Sequence, residues 1–313
     1  MSNQILHQLV NALVSGSIFA LLALGYTMVY GIIKLINFAH GDIFMLGAFM
    51  GYFLFNNLNI APYLTFIPSE EWRFYIALLV IILITMTVTA TVGMLVEFLA
   101  YRPIRNASRI SALITAIGVS FFLEYGMVFL FGAQPRSYPE EALVVKPLQI
   151  GSMKFDFITN AEFIIFIVAI ALMFVLQYVV KKTKMGKAMR AVSVDSDAAQ
   201  LMGINVNSTI SFTFALGSAL AGAAGVLIPL SQPSIEPLMG MVPGIKAFVA
   251  AVLGGIGIIP GATLGGFLIG GVETITVALG FSNFRDAIVY IVLILILLIR
   301  PAGILGKNVK EKV

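Results

Sequence analysis

Apolar positions along this chain gather into nine long stretches: Leu9–Ile33, Phe38–Phe55, Phe74–Ala100, Ile110–Phe131, Phe163–Val180, Ser211–Leu230, Ile245–Ile259, Ala262–Leu279 and Ala287–Ile299. A membrane-crossing helix needs about 20 mostly apolar residues. The pattern therefore predicts an all-α, polytopic transmembrane bundle of eight to nine spans, nine being the upper count. Two places interrupt it. The stretch Val242 to Pro260 is short, Gly-rich and bounded by Pro243 and Pro260, which predicts a broken or re-entrant element. Asn37 to Gly41 separates two apolar runs without a real loop and predicts a second break. No Lys or Arg precedes the first stretch, so it reads as a retained span rather than a signal peptide.

The two longest polar stretches differ in character. Gly132 to Asn160 carries Pro135, Pro139, Pro147 and Gly151 and reads as an irregular surface loop. Lys181 to Asn207 has almost no breakers between Lys187 and Leu201. There Met189, Val192, Ala199 and Met202 fall at near-helical spacing, and Asp195 and Asp197 precede a second short helix ending at Gly203. One or two short amphipathic helices at the membrane surface are expected.

Composition sharpens this picture. Of 313 residues, 59% are hydrophobic and 11% charged, against roughly 45–50% and 25% in soluble domains. A soluble globular protein is excluded, and nine spans leave room only for short loops. The expectation is one membrane domain, residues 1–313, with any soluble machinery on other chains. With no Cys and two His, disulfides, thiolate metal sites and Cys nucleophiles are excluded, and little remains for a transition-metal centre. No G-x-x-x-x-G-K-[ST] loop is present, so the chain does not hydrolyse ATP by that route.

The net charge of +4 points to a membrane face rather than to nucleic acid, because thirteen of the nineteen basic residues fall on one side. They are Lys34, Arg102, Arg105, Arg109, Lys181, Lys182, Lys184, Lys187, Arg190, Arg300, Lys307, Lys310 and Lys312. Glu70, Glu71, Glu140, Glu141, Asp156 and Glu236 lie on the other. Positive charge marks the cytoplasmic face, which puts the C-terminus inside.

Ionisable groups within membrane segments are costly and usually functional. Asn37, His40, Gly41 and Asp42 at the first break, Lys246 at the second, and Glu124 and Glu273 in mid-span are the candidate pathway residues. Each of the two glutamates fits either a pathway wall or a helix-packing anchor. Glu97 is expected to reach the interface beside Arg102. Glycines four apart, such as Gly47 and Gly51 or Gly261 and Gly265, fit close helix packing. HGDIFMLGAFMG from His40 echoes PGATLGGFLIGG from Pro260, which raises a two-fold internal repeat.

Asp197, Ala198, Ala199 and Gly203 resemble the E-A-A-x-x-x-G pattern of ABC importer permeases, with Asp in the place of Glu. GYTMVYGIIKLINFAHGDIFMLGAF from Gly25, YRPIR from Tyr101 and ITAIGVSFFL from Ile114 resemble the branched-chain amino acid permeases of that superfamily, LivH-type. So do GKAMRAVSVDSDAAQLMGINV from Gly186, FALGSALAGAAGVL from Phe214 and KAFVAAVLGGIGIIPGATLGGFLIG from Lys246. The resemblance implies a permease of the bacterial inner membrane that moves leucine, isoleucine or valine inward by alternating access. It also implies a second permease subunit, two cytoplasmic ATPases carrying ATP and Mg, and an extracytoplasmic solute-binding protein, with no cofactor on this chain. Residues 181–208 are then the coupling loop, with Asp195, Asp197, Ala198, Ala199 and Gly203 facing the ATPase. A urea or short-chain amide permease, an autonomous channel or carrier, and a non-transporting scaffold are the alternatives.

Overall fold

The computed structural model describes residues 2–58, 69–105, 107–138, 147–150 and 153–306. Glu140, Glu141, Lys307, Lys310 and Lys312, which contribute to the charge asymmetry, lie outside them. Eleven α-helices occupy the described residues: α1 (Ser2–Ile33), α2 (His40–Phe53), α3 (Glu70–Val96), α4 (Arg109–Phe131), α5 (Asn160–Lys182), α6 (Lys184–Val194), α7 (Ser196–Leu201), α8 (Val206–Leu227), α9 (Met241–Gly254), α10 (Ile259–Ala278) and α11 (Arg285–Ile299). A π-turn extends α3 over Glu97–Tyr101. Among the described residues seven helices are long and apolar enough to cross a membrane, and the chain is a multi-pass membrane protein. α9, in the stretch expected to be broken, has fourteen residues, short of the roughly 20 a crossing needs, and α2, which follows the break at Asn37–Gly41, has fourteen before a π-turn continues it over Leu54–Leu58.

Helix starts follow from capping chemistry. Ser108, Thr159, Thr183, Asp195 and Asn205 each precede a helix and accept a hydrogen bond from a first-turn backbone N–H, meeting donors that no helical carbonyl can reach. At α5 the cap is reciprocal, because Glu162 reaches back to the Thr159 backbone. Neither α2 nor α9 has a side-chain cap.

α1 and α8 are buried on nearly all sides and cross antiparallel, with Gly25 against Gly217. α10 lies antiparallel on α1, Gly266 meeting Ala20 and Gly270 meeting Gly16; α3 lies antiparallel on α8, Gly93 meeting Ser218 and Thr89 meeting Gly222. α2 runs parallel to α8, while α9 runs parallel to α1. The triplets α1–α2–α3 and α8–α9–α10 thus share one packing pattern in opposite senses. The HGD and PGA echo does not mark it: these segments start α2 and α10, whose packing partners differ.

The stretch read as an irregular loop after α4 carries strand pairs among its described residues. Arg136–Ser137 pairs antiparallel with Ser234–Ile235, and Pro147–Ile150 with Met153–Thr159. The buried Tyr138 hydroxyl donates to the Ala48 carbonyl, and burial raises its phenol pKa. This end of the bundle lies opposite the one carrying Arg102, Arg105, Lys181 and Lys182, called the basic end below.

Candidate functional site

Between α1 and α2 the chain turns back into the bundle. Lys34 ends α1 in the left-handed region at φ 55°, where glycine is the usual residue. Asn37 accepts a hydrogen bond from the Tyr101 hydroxyl at 2.9 Å. The His40 ring stacks edge-on to Tyr26, 4.8 Å between centroids, and lies against Gly25, two turns inside the end of α1. Its Nε2, the Asn37 Nδ2 and the Thr27 hydroxyl are buried without protein hydrogen-bond partners. Asp42 accepts from the Ser120 hydroxyl at 2.5 Å, and Glu124 lies near it.

The tips of α2 and α9 meet here. Any side chain at Gly41 would strike the Gly240 carbonyl and the Gly244 Cα, and a Cβ at Gly240 would touch Asp42. Glycine is required because backbone approaches backbone. Two helix N-termini thus converge near one carboxylate, and the positive ends of both dipoles favour that charge. Of the sequence candidates, Asn37, His40, Gly41, Asp42 and Glu124 share this buried seam.

Lys246 and Glu273 form a second cluster. Lys246 stands in the second turn of α9, past the break instead of at it, as the sequence had suggested. Its Nζ is 2.5 Å from Glu273 Oε1 and 2.6 Å from Asp286 Oδ1, and Arg285 Nε is 3.6 Å and 3.5 Å from the same two carboxylates. The pairing ties α10 to α9 and α11, and the same cluster borders a cavity of about 600 Å³ at the end opposite the basic one.

A third polar cluster forms around Glu97, whose partner Arg102 was expected but whose partners Arg105 and Ser211 were not. Glu97 is fully buried instead of reaching the interface, and the cations reach in to it: Arg102 at 3.0 Å, Arg105 at 2.8 Å and the Ser211 hydroxyl at 2.6 Å. Arg105 also donates to Asn207 at 2.8 Å. With the Tyr101–Asn37 bond, this chain of contacts runs from the start of α8, through the π-turn, to the broken segment before α2.

The polar stretch at the basic end forms two short helices. Asp195 is the hinge between them, its Oδ1 accepting from the Asp197 and Ala198 amides at 2.9 Å each. Asp197, Ala198 and Gly203 are exposed, whereas Ala199 is buried against the bundle and holds α7 down. Of the residues at near-helical spacing, Met189, Val192 and Ala199 are buried, whereas Met202 is 83% exposed beside Leu201 at 89% and Val194 at 88%. Gly203 closes the helix at φ 83°, a conformation that side chains rarely adopt. Asp195→Ala is expected to loosen α7 by about 1 kcal/mol while Asp195→Asn keeps the cap. Faster proteolytic cleavage near residue 195 in the alanine variant alone is the expected readout.

These features define a polytopic membrane protein with paired broken helices, buried charges and an exposed apolar tip at its basic end. Residues 8–297 match the family model described as the permease component of the branched-chain amino acid transport system. The chain is 40% identical over 310 residues to the high-affinity branched-chain amino acid transport system permease protein BraD of Pseudomonas aeruginosa, covering 98% of both chains. It is 39% identical over 318 residues to the corresponding LivH protein of Escherichia coli K12, covering all of both. To the probable branched-chain amino acid transport permease protein LivH of Methanocaldococcus jannaschii it is 32% identical, covering 96% of this chain and 92% of that one. No solved structure matches. The chain belongs to the branched-chain amino acid transport permease component family.

Proposed function

We propose that this chain is the membrane subunit of an ATP-driven importer that carries leucine, isoleucine and valine into the cytoplasm. The observation that carries the reading is identity near 40% along essentially the whole chain to permeases named for that transport. The basic end faces the cytoplasm, with the C-terminus on that side. The exposed Val194, Leu201 and Met202 then form the surface that enters a cleft on a separate ATPase, where ATP and Mg reside. A second permease subunit, a second ATPase and a solute-binding protein complete the assembly, and this chain holds no cofactor. Residues 1–313 act as one membrane domain with 181–208 as its coupling loop. Transport proceeds by alternating access, which the two oppositely directed helix triplets support.

Cells lacking this gene, with the partner genes intact, are expected to lose labelled-leucine uptake that excess isoleucine blocks and excess urea or ribose does not. Unchanged leucine uptake would overturn the substrate assignment. Purified alone in proteoliposomes the chain is expected to be inert, and ATP-independent transport there would favour an autonomous carrier.

A further inference from the structure

We infer that the cavity of about 600 Å³ opposite the basic end is a reception site for the zwitterionic head and aliphatic side chain of an amino acid. This rests on the amino-acid import reading and adds the site. Its floor and rim carry two cations and two carboxylates in mutual contact: Lys246 touches both Glu273 and Asp286, and Arg285 lies 3.5–3.6 Å from the same pair. Such a quartet is neutral and alternating in charge. An α-amino acid brings one carboxylate and one ammonium, so it can take a place in the alternation with every charge matched. A solute with one charge leaves a member of the quartet unpaired, and a neutral solute gains little.

The quartet is open on its cavity side. Lys246 is 4% exposed at its side chain and Glu273 11%, whereas Arg285 and Asp286 are 50% and 44% exposed and free to swing towards a guest. Lys246 meets Asp286 Oδ1 as a charge contact, and that oxygen has no hydrogen-bond donor in good geometry. The side-chain amides of Gln8, Asn11 and Gln232 also line the cavity. Beside this polar side stands an apolar wall of Phe19, Phe44, Met239 and Val242, matched to a branched aliphatic chain. One polar side for the head and one apolar side for the tail is the arrangement an apolar amino acid needs.

The chain has no cysteine, so a single Thr274→Cys places one thiol on the cavity wall. In vesicles carrying the complete importer, labelling of this chain by a membrane-impermeant maleimide is measured with excess leucine, 4-methylpentanoate, isopentylamine or urea. Leucine is expected to slow labelling several-fold and the other three to leave it unchanged. Arg285→Gln and Asp286→Asn, both at half-exposed positions, are expected to raise the leucine concentration for half-maximal protection and half-maximal uptake about tenfold, the worth of one charge-assisted hydrogen bond. Equal protection by a one-charge analogue or by urea would overturn the zwitterion reading. Unprotected labelling in an importer that still takes up leucine would remove the site and leave the import reading standing. Loss of the import reading would show separately, as unmodified importer that does not take up leucine.

Discussion

Glu97→Ala is expected to cost about 3 kcal/mol of fold stability and to reduce uptake to background, because it removes the common partner of two guanidinium groups. The wild-type carboxylate is fully buried and accepts from Arg102, Arg105 and Ser211 at once. Removing one member of a buried pair costs about 3–5 kcal/mol, since the charges left behind have lost both water and counter-ion. Here the arginine side chains are 33% and 26% exposed and can turn partly to solvent, which places the value at the low end. Glu97→Gln keeps the volume and the neutral hydrogen bonds and should unfold less readily. The functional loss should exceed the stability loss. Arg105 joins Glu97 to Asn207 at the start of α8, and Tyr101, four residues on from Glu97, holds Asn37 in the broken segment. Thermal unfolding of the purified chain, with uptake measured in cells that contain equal amounts of it, tests both halves. An alanine variant that melts and transports like wild type would show that this cluster does neither.

The spans were legible in the sequence because lipid demands long apolar runs, and the two breaks because polar or Gly-Pro residues interrupt those runs where no loop follows. The polar clusters were legible only in part. Lys246, Glu273 and Asp286 are 27 and 13 residues apart in turn and share no helix, so only the packing of α9, α10 and α11 brings them together. Glu97 precedes Arg102 and Arg105 by five and eight residues, spacings that an α-helix spreads around its circumference. The π-turn over Glu97–Tyr101 and the turn after it bring both cations back to one carboxylate. The second short helix, from Asp195 to Gly203, was legible from its cap and its glycine, but the side on which Met202 falls was not: it is the C-cap of α7 and faces away from the bundle. The HGD and PGA echo reflects the shared need for small residues at crowded crossings, not equivalent places in the fold.

The second large effect is expected at that tip. Leu201 and Met202 sit within one turn of each other at the end of α7, nearly free of contact with their own chain, while Ala199 anchors the same helix to the bundle. Bare apolar side chains on a rigid helix held at a basic membrane face lose little by being replaced within the isolated subunit and much within an interface. If they fill a cleft on the ATPase, each is a buried anchor whose replacement by aspartate costs about 2 kcal/mol or more. Together Leu201→Asp and Met202→Asp should then weaken ATPase association by on the order of 1,000-fold. The variant chain should melt at the wild-type temperature, because neither side chain packs in the fold. Ala199→Arg is the contrasting substitution, since it forces a large cation beneath α7 and should lower stability as well as association. Co-purification of the ATPase with each variant, beside melting curves, separates the two effects. If the double aspartate variant retains the ATPase and full leucine uptake, the tip is not the coupling surface, and the neighbouring polar cavity lined by Arg105, Asp197, Gln200 and Asn207 becomes the next surface to test.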